Sequence, residues 1–176
     1  MAKALRKTML SLDSPAIEAL MRLMETQSKA TVAAWAVAYA QDHYLPLYDA
    51  ARPADPRPAA ALAAAGQWLA GEVKLPQAKP AILACHQAAR EAEGDPAAQA
   101  AARAVGQAAS SIHAPTHALG LAFYGAAAVA YATAGLSADA ATHATIAAEE
   151  GARLVASLQE AAVPNEPHPA RFNWNC

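Results

Sequence analysis

Two groups of polar side chains stand out in a sequence that is otherwise rich in small apolar residues. The first group is His113 and His117, whose spacing of four can place two imidazoles on one helical face. Metal sites on helices use histidine pairs at this spacing. Because Pro115 lies between them, we expect His113 just before a helix and His117 in its first turn.

A metal site at this pair would need further ligands, because zinc is held by three or four converging side chains. Folding could bring in His86, Glu149 or Glu150. Histidines that are hydrogen-bonded in a polar pocket are commoner than metal ligands. We therefore predict no cofactor, and keep as the alternative a divalent metal such as zinc at His86, His113 and His117.

The second group contains basic and amide side chains at helical spacing. His86 and Arg90 would share one helix face, Arg103 and Gln107 would share a face of the next helix, and Arg57 is a further candidate. A charge that faces the interior of a helical bundle must be paired. The group could form a cationic pocket for a carboxylate or phosphate, in which arginine supplies paired hydrogen bonds.

The same basic side chains could instead brace the helices through ion pairs, since structural ion pairs resemble binding sites in such patterns. The carboxylates available for this are Glu91, Glu93, Glu149 and Glu150. Nucleophilic chemistry has little support, because the hydroxyls of Ser110 and Ser111 are expected to bond back to the helix. We therefore predict a binding protein rather than an enzyme.

The composition predicts that helices position these residues. The chain of 176 residues contains 54 alanines, but its Val, Ile and Thr residues together number only 18. Alanine loses no side-chain entropy in a helix, whereas β-branched residues lose rotamer freedom there. We predict an all-α fold, a compact bundle of about seven helices.

Cap residues, prolines and glycines mark the predicted helix boundaries. Three helix starts pair an N-cap residue with proline, namely Ser14-Pro15, Asp55-Pro56 and Asp95-Pro96. Three glycines are expected to follow helix ends, namely Gly71, Gly94 and Gly135. Pro46 is expected to end the second helix. The predicted helices span residues 15–26, 29–45, 56–70, 76–93, 96–113, 115–134 and 138–162.

A possible repeat and a C-terminal tail complete the predicted organisation. The two Asp-Pro starts lie 40 residues apart and are followed by Gly66-Gln67 and Gly106-Gln107. This period suits helical-hairpin repeats of the HEAT kind, but similar composition alone could produce it. Prolines exclude helix after residue 163, and the aromatic residues there favour docking. We predict one helical domain over residues 1–163 and an extended tail over 164–176 docked on it.

Charge and hydropathy exclude several classes of function. A net charge of −2 gives no footprint for nucleic acid. Two cysteines make no disulfide framework, and no signal-peptide core follows the basic N-terminus, so we expect a cytoplasmic protein. The uncharged stretch between Arg103 and Asp139 is mostly alanine, and we predict a buried helix rather than a membrane span.

A series of short motifs, in a fixed order along nearly the whole chain, resembles one protein family. The motifs are Asp55-Pro56-Arg57-Pro58, Trp68, Gly71, Lys74-Leu75-Pro76, Cys85-His86, Ala88-Ala89-Arg90-Glu91, Ala100-Ala101-Ala102-Arg103, Gly106-Gln107, Ile112-His113, His117, Tyr124-Gly125, Asn165-Glu166-Pro167 and Asn173-Trp174. Their order and spacing resemble the all-helical, immunity-5-like immunity proteins of bacterial polymorphic-toxin systems.

The resemblance implies a bacterial cytoplasmic protein that binds and neutralises a cognate protein toxin. It brings no catalytic residue, and its motifs overlap the two groups of polar residues described above. One alternative is a metal- or small-ligand-binding protein or enzyme that uses the His/Arg group between helices. Another is a homo-oligomer formed through the alanine-rich face of the helix at 115–134.

Overall fold

The computed structural model describes residues 5–174, in which the secondary structure is entirely helical. The α-helices of this range are α1 (Pro15–Met24), α2 (Lys29–Tyr39), α3 (Leu45–Ala51), α4 (Arg57–Leu69), α5 (Leu75–Glu91), α6 (Pro96–Ser110), α7 (His117–Ala134) and α8 (Ala140–Ala161). A π-helical turn, Ala40–Tyr44, joins α2 directly to α3. The described chain therefore folds into seven helical rods, which confirms the all-α bundle.

Local capping explains where several helices begin and end. The side chains of Ser28 and Asp95 each accept a hydrogen bond, at 3.1 Å, from the backbone N–H three residues later. These bonds satisfy donors that the first helical turn leaves unpaired. Gly71 and Gly135 follow helices with φ of 76° and 74°, a left-handed conformation that glycine adopts without strain.

One predicted boundary is wrong, because Pro46 does not end the helical run. Pro46 lies in the first turn of α3, where a missing N–H costs no helical hydrogen bond. The chain reaches this position through the π-helical turn, in which the N–H of Leu45 bonds to the carbonyl of Ala40. The run that starts at Lys29 therefore continues to Ala51.

Helix α6 lies at the centre of the bundle. It packs against α2, α3, α4, α5 and α7. Of its 15 residues, the ten that are buried are all Ala, Val, Gly or Ser. Such small side chains allow neighbouring helix axes to approach closely. The larger fully buried side chains include Ile17, Leu20, Met24, Tyr44, Tyr48, Leu62, Leu121, Leu154 and Leu158.

The two Gly-Gln pairs have different surroundings. A Cβ at Gly66 would meet nothing within 4 Å, whereas a Cβ at Gly106 would lie 2.8 Å from the His86 ring. Gln67 is exposed, while Gln107 is half-buried and hydrogen-bonded to another helix. The 40-residue spacing therefore does not mark two equivalent structural units.

Among the helices of the described residues, α7 is the one that is long and apolar enough by composition to cross a membrane. In the bundle, 56% of this 18-residue helix is buried. It packs extensively on α6 and α8. Burial between these helices accounts for its apolar composition.

The chain beyond α8 returns to the loop between α1 and α2. The Gln27 side chain bonds both backbone groups of Val163, accepting from its N–H at 2.7 Å and donating to its carbonyl at 3.3 Å. The backbone carbonyl of Gln27 accepts the N–H of Ala170 at 2.8 Å. Trp174 donates its indole N–H to Glu25 at 2.7 Å. Cys176, included in the predicted tail, lies outside the described residues.

Glu166 supplies a carboxylate to the start of α2. Its two oxygens accept the backbone N–H of Ser28 and the hydroxyl of Thr31, each at 2.6 Å. A negative charge at this end of a helix also interacts favourably with the helix dipole. The hydroxyl of Thr31 contributes most to lowering the pKa of Glu166, followed by the backbone N–H of Ser28.

Candidate functional site

Six of the seven predicted site residues lie on the consecutive elements from α5 to α7, and the seventh begins α4. The six are His86 and Arg90 on α5, Arg103 and Gln107 on α6, His113 in the following loop and His117 at the start of α7. The seventh is Arg57. The structure distributes six of these residues among three environments and leaves His113 exposed in its loop.

The first environment is built around His86, whose ring packs against Gly106 of α6. The Nε2 atom of His86 lies 3.1 Å from the Ser110 hydroxyl. That hydroxyl lies 2.7 Å from the Gly106 carbonyl, which can only accept. The Ser110 hydroxyl therefore donates to the carbonyl, and the Nε2–H of His86 donates to Ser110. In this arrangement Nε2 of His86 already carries a proton, so it cannot accept the Ser110 proton as a general base would.

His117 forms the other half of this environment. Its Nδ1 atom lies 2.9 Å from Oε1 of Gln107 and donates to it. The Gln107 side chain packs directly on Gly120 of α7, where a Cβ would lie 2.5 Å from the same oxygen. Gly106 thus makes room for the His86 ring between α5 and α6, and Gly120 makes room for the Gln107 side chain between α6 and α7.

Burial controls the protonation of both imidazoles. Desolvation is the main cause that lowers the pKa of His86, followed by the nearby charges of His117 and Arg90. Desolvation also lowers the pKa of His117, with a smaller effect from His113. Both rings are therefore mainly neutral at pH 7. Each neutral ring keeps one nitrogen that can accept a hydrogen bond. We call His86 and His117 the imidazole pair.

The three predicted histidines do not converge as metal ligands. Within residues 5–174, no three His, Cys, Asp or Glu side chains are grouped in a way that could hold a metal ion. His113 is exposed, and its backbone carbonyl accepts a hydrogen bond from Lys29 at 3.2 Å. The geometry therefore does not support the alternative of zinc at His86, His113 and His117.

The second environment is an ion-pair network around Arg57. Its Nε and Nη2 atoms contact the two oxygens of Asp55 at 2.8 and 2.7 Å, and Nη2 also contacts Glu91 of α5 at 2.6 Å. Tyr48 of α3 donates to the same Asp55 carboxylate at 2.6 Å. The hydrogen bonds from Arg57 hold the pKa of Asp55 well below its usual range. Arg57 thus joins α4 to α5 and, through Asp55, to α3.

Arg90 lies at the edge of this network. Its Nε and Nη2 atoms both contact Oε1 of Gln87, at 2.9 and 2.6 Å. The amide nitrogen of Gln87 in turn donates to Glu91 at 2.9 Å. Arg90 is exposed, so its charge faces solvent beside the half-buried His86 ring.

The third environment contains Arg103. Its guanidinium lies over the ring of Tyr124 on α7, 5.6 Å from the ring centroid. Arg103 also lines a cleft of about 160 Å³ together with Arg6, Lys7 and Glu93. We call this the basic cleft.

Sequence reasoning missed the role of a buried carboxylate, Glu150 of α8, which is 2% exposed. One of its oxygens accepts hydrogen bonds from Tyr39 at 2.9 Å and Tyr44 at 2.6 Å. Its other oxygen accepts from Arg153 at 2.8 Å. Burial, followed by the charge of Glu150, raises the pKa of Tyr39 and of Tyr44.

The spacing along α8 contains a signal for this role. Glu150 lies three residues after Ala147 and four before Leu154, both of which are buried, whereas Glu149 is out of phase and exposed. Positions three and four apart share one face of a helix. The pattern could have distinguished the two adjacent glutamates, but not identified their tyrosine partners.

Comparison with known proteins identifies a family but no individual relative. A sequence model of the family described as "Imm-5 like putative immunity protein" matches residues 22–155. No curated protein and no solved structure matches the chain significantly. The match runs from the last turn of α1 through most of α8 and includes all seven predicted site residues. The chain therefore belongs to the Imm-5-like immunity protein family.

Proposed function

We propose that this protein is a bacterial immunity protein that binds and neutralises a cognate toxin in the cytoplasm. The observation that carries the proposal is the family match over most of the helical body. Family membership supports a protein partner, and the toxin as that partner is our proposal. In this role the protein acts by covering a functional surface of the toxin, not by catalytic turnover.

The hydrogen bonding of the imidazole pair supports a role in binding. The Ser110 hydroxyl donates to the Gly106 carbonyl, so it is not activated by His86 as a nucleophile would be. Each neutral ring retains an acceptor nitrogen that can receive a hydrogen bond from a partner. Such fixed polar groups contribute to specificity when a partner covers them.

A polar strip on α6 marks the face that we propose contacts the toxin. Gln99, Arg103 and Gln107 are spaced four residues apart and are each half-buried on a helix whose other residues are largely buried. The strip is about 12 Å long. A specific complex buries about 1,200–2,000 Å² in total. The contact must therefore extend from this strip onto α5 and α7.

The direct test first requires the neighbouring genes to be searched for a toxin domain, which is then co-expressed with this protein. In a bacterial host, the toxin domain alone should arrest growth, and co-expression of this protein should restore growth. The purified proteins should also form a stoichiometric complex by size-exclusion chromatography. Persistent growth arrest, with the protein abundant and folded and no complex formed, would overturn the proposal.

A matched pair of variants tests the proposed face. Gln107→Arg places a larger, positively charged side chain on the α6 strip, and we expect this variant to weaken the complex. Gln67→Arg makes the same change on the exposed face of α4 and should leave binding unchanged. Melting temperatures of both variants would show that any loss of binding is not a loss of folding. Equal binding by the two variants would place the interface elsewhere.

A further inference from the structure

We infer that the basic cleft receives a carboxylate-bearing segment of the protein partner. The identity of that partner rests on the proposed function, whereas the chemistry of the cleft rests on its own residues. The cleft lies where the segment before α1 crosses the end of α5 and the first half of α6.

The charge balance of the cleft favours an anionic occupant. Arg6, Lys7 and Arg103 contribute three cations, and Glu93 contributes one carboxylate. The ion pairs of the described chain involve other residues, so within residues 5–174 these cations have no carboxylate partner. The whole chain carries a net charge of −2, so the cleft has the opposite sign to the protein as a whole.

Two contacts involve cationic residues of the cleft, namely Arg6 and Arg103. The hydroxyl of Tyr131 on α7 donates to the backbone carbonyl of Arg6 at 2.6 Å, which fixes the N-terminal segment on the bundle. The guanidinium of Arg103 lies over the Tyr124 ring and is half-buried. A partly buried charge is screened less by salt than an exposed one. Arg103 is therefore the cation from which we expect the largest contribution.

The size of the cleft favours a side chain over a cofactor. Its volume of about 160 Å³ is smaller than the roughly 300–1,000 Å³ of typical small-molecule sites. Arginine presents a planar fork that matches a carboxylate with two hydrogen bonds. A glutamate or aspartate on a loop of the partner satisfies both requirements, since the rest of the loop remains outside the cleft.

The family match does not imply this cleft. Arg6 and Lys7 precede residue 22, where the match begins. Two of the three cations are therefore contributed by a segment outside the matched region.

A peptide of six glutamates with blocked ends provides a probe that does not require the toxin. Titration into the 176-residue protein at low salt should shift the amide resonances of Arg103 and Tyr131. Arg103→Gln should weaken binding by about three- to tenfold, since one charge-assisted contact is lost. Glu93→Gln should strengthen binding by a similar factor, because it removes a carboxylate that lines the cleft.

Arg22→Gln is the matched control. It removes the same charge from an arginine side chain on α1 that is 80% exposed, and it should leave peptide binding unchanged. If Arg22→Gln weakens binding as much as Arg103→Gln, the attraction is non-specific and the inference fails. Absence of resonance shifts in the cleft overturns it as well. Inorganic phosphate binding as tightly as the peptide would indicate a small-anion site and would also overturn it.

The toxin experiment separates this inference from the proposed function. If the wild-type protein restores growth and Arg103→Gln binds the toxin with the same Kd, the cleft inference fails while the function stands. If the peptide binds the cleft but the protein neither binds nor neutralises the toxin, the function fails while the cleft remains a carboxylate site.

Discussion

Tyr39 and Tyr44 donate hydrogen bonds to the same oxygen of Glu150, because the chain between them forms a π-helical turn. In an α-helix, residues five apart are separated by about 140° around the axis, so their side chains diverge. The wider π-helical turn brings the two rings to one side, where their centroids lie 5.5 Å apart. The irregular helix geometry thus allows two tyrosines to donate to one oxygen of a buried carboxylate.

Replacing this carboxylate should be costly. Glu150→Ala leaves the hydroxyls of Tyr39 and Tyr44 without their acceptor inside the bundle. We expect the free energy of unfolding to fall by about 3 kcal/mol, measured by urea denaturation. Glu149→Ala, a control at the adjacent exposed position, should change it by less than about 0.5 kcal/mol. Similar losses in the two variants would contradict the structural role of Glu150.

Two glycine-to-alanine substitutions should have opposite effects on stability. A Cβ at Gly125 would overlap the buried ring of Tyr44, so Gly125→Ala should destabilise the protein by about 2 kcal/mol or more. Gly66 lies within α4, and a Cβ there would meet nothing within 4 Å, so Gly66→Ala should stabilise the protein by up to about 1 kcal/mol. Thermal or urea unfolding of both variants measures this. A loss of stability in Gly66→Ala would show that α4 is packed differently.

Stability should decrease as the solution is acidified from pH 7.5 to pH 5. The pKa values of His86 and His117 are lowered in the folded protein, so the unfolded chain binds their protons first as the pH falls. The stabilisation linked to these two histidines is therefore fully present above about pH 6.5, the pKa of histidine in the unfolded chain. It is lost as the pH falls towards the lowered pKa values of the folded protein. The carboxylates with lowered pKa values titrate at more acidic pH, so this window reports the histidines.

The imidazole pair can be tested by comparing pH profiles. The double variant His86→Gln/His117→Gln should flatten the decline in the free energy of unfolding between pH 7.5 and 5. The exposed tail histidine provides a control, and His168→Gln should keep the slope of the wild-type protein. An unchanged slope in the double variant would assign the pH dependence to other groups.

Removing the carboxylate of Glu166 should loosen the tail and the start of α2. Glu166→Ala removes the acceptor of the Ser28 N–H and the Thr31 hydroxyl. We expect a lower melting temperature and faster amide hydrogen exchange at Ser28. Glu160→Ala, at an exposed position of α8, should alter neither. Unchanged exchange at Ser28 in Glu166→Ala would show that the tail does not stabilise this helix start.

The sequence allowed the helices to be predicted more completely than the site. Asp95 marks its helix start correctly because its capping bond spans only three residues. The helix end predicted at Pro46 was wrong because a π-helical turn precedes this residue. Tyr44 of that turn bonds to Glu150, which lies more than 100 residues away in the sequence. Arg57 and Arg103 were both assigned to one candidate cationic pocket, yet one is paired with carboxylates and the other lies on an aromatic ring. Such long-range partners cannot be derived from local periodicity.

The bonds between Gln27 and the segment after α8 have a consequence for biosynthesis. They join positions separated by 136 residues. A nascent chain leaves the ribosome from its N-terminus, so the loop after α1 emerges well before its partners. Gln27 therefore lacks these bonds, and α2 lacks Glu166, until translation has passed Val163 and Glu166. The loop between α1 and α2 is therefore synthesised before α8 but gains these bonds only after α8 has been made.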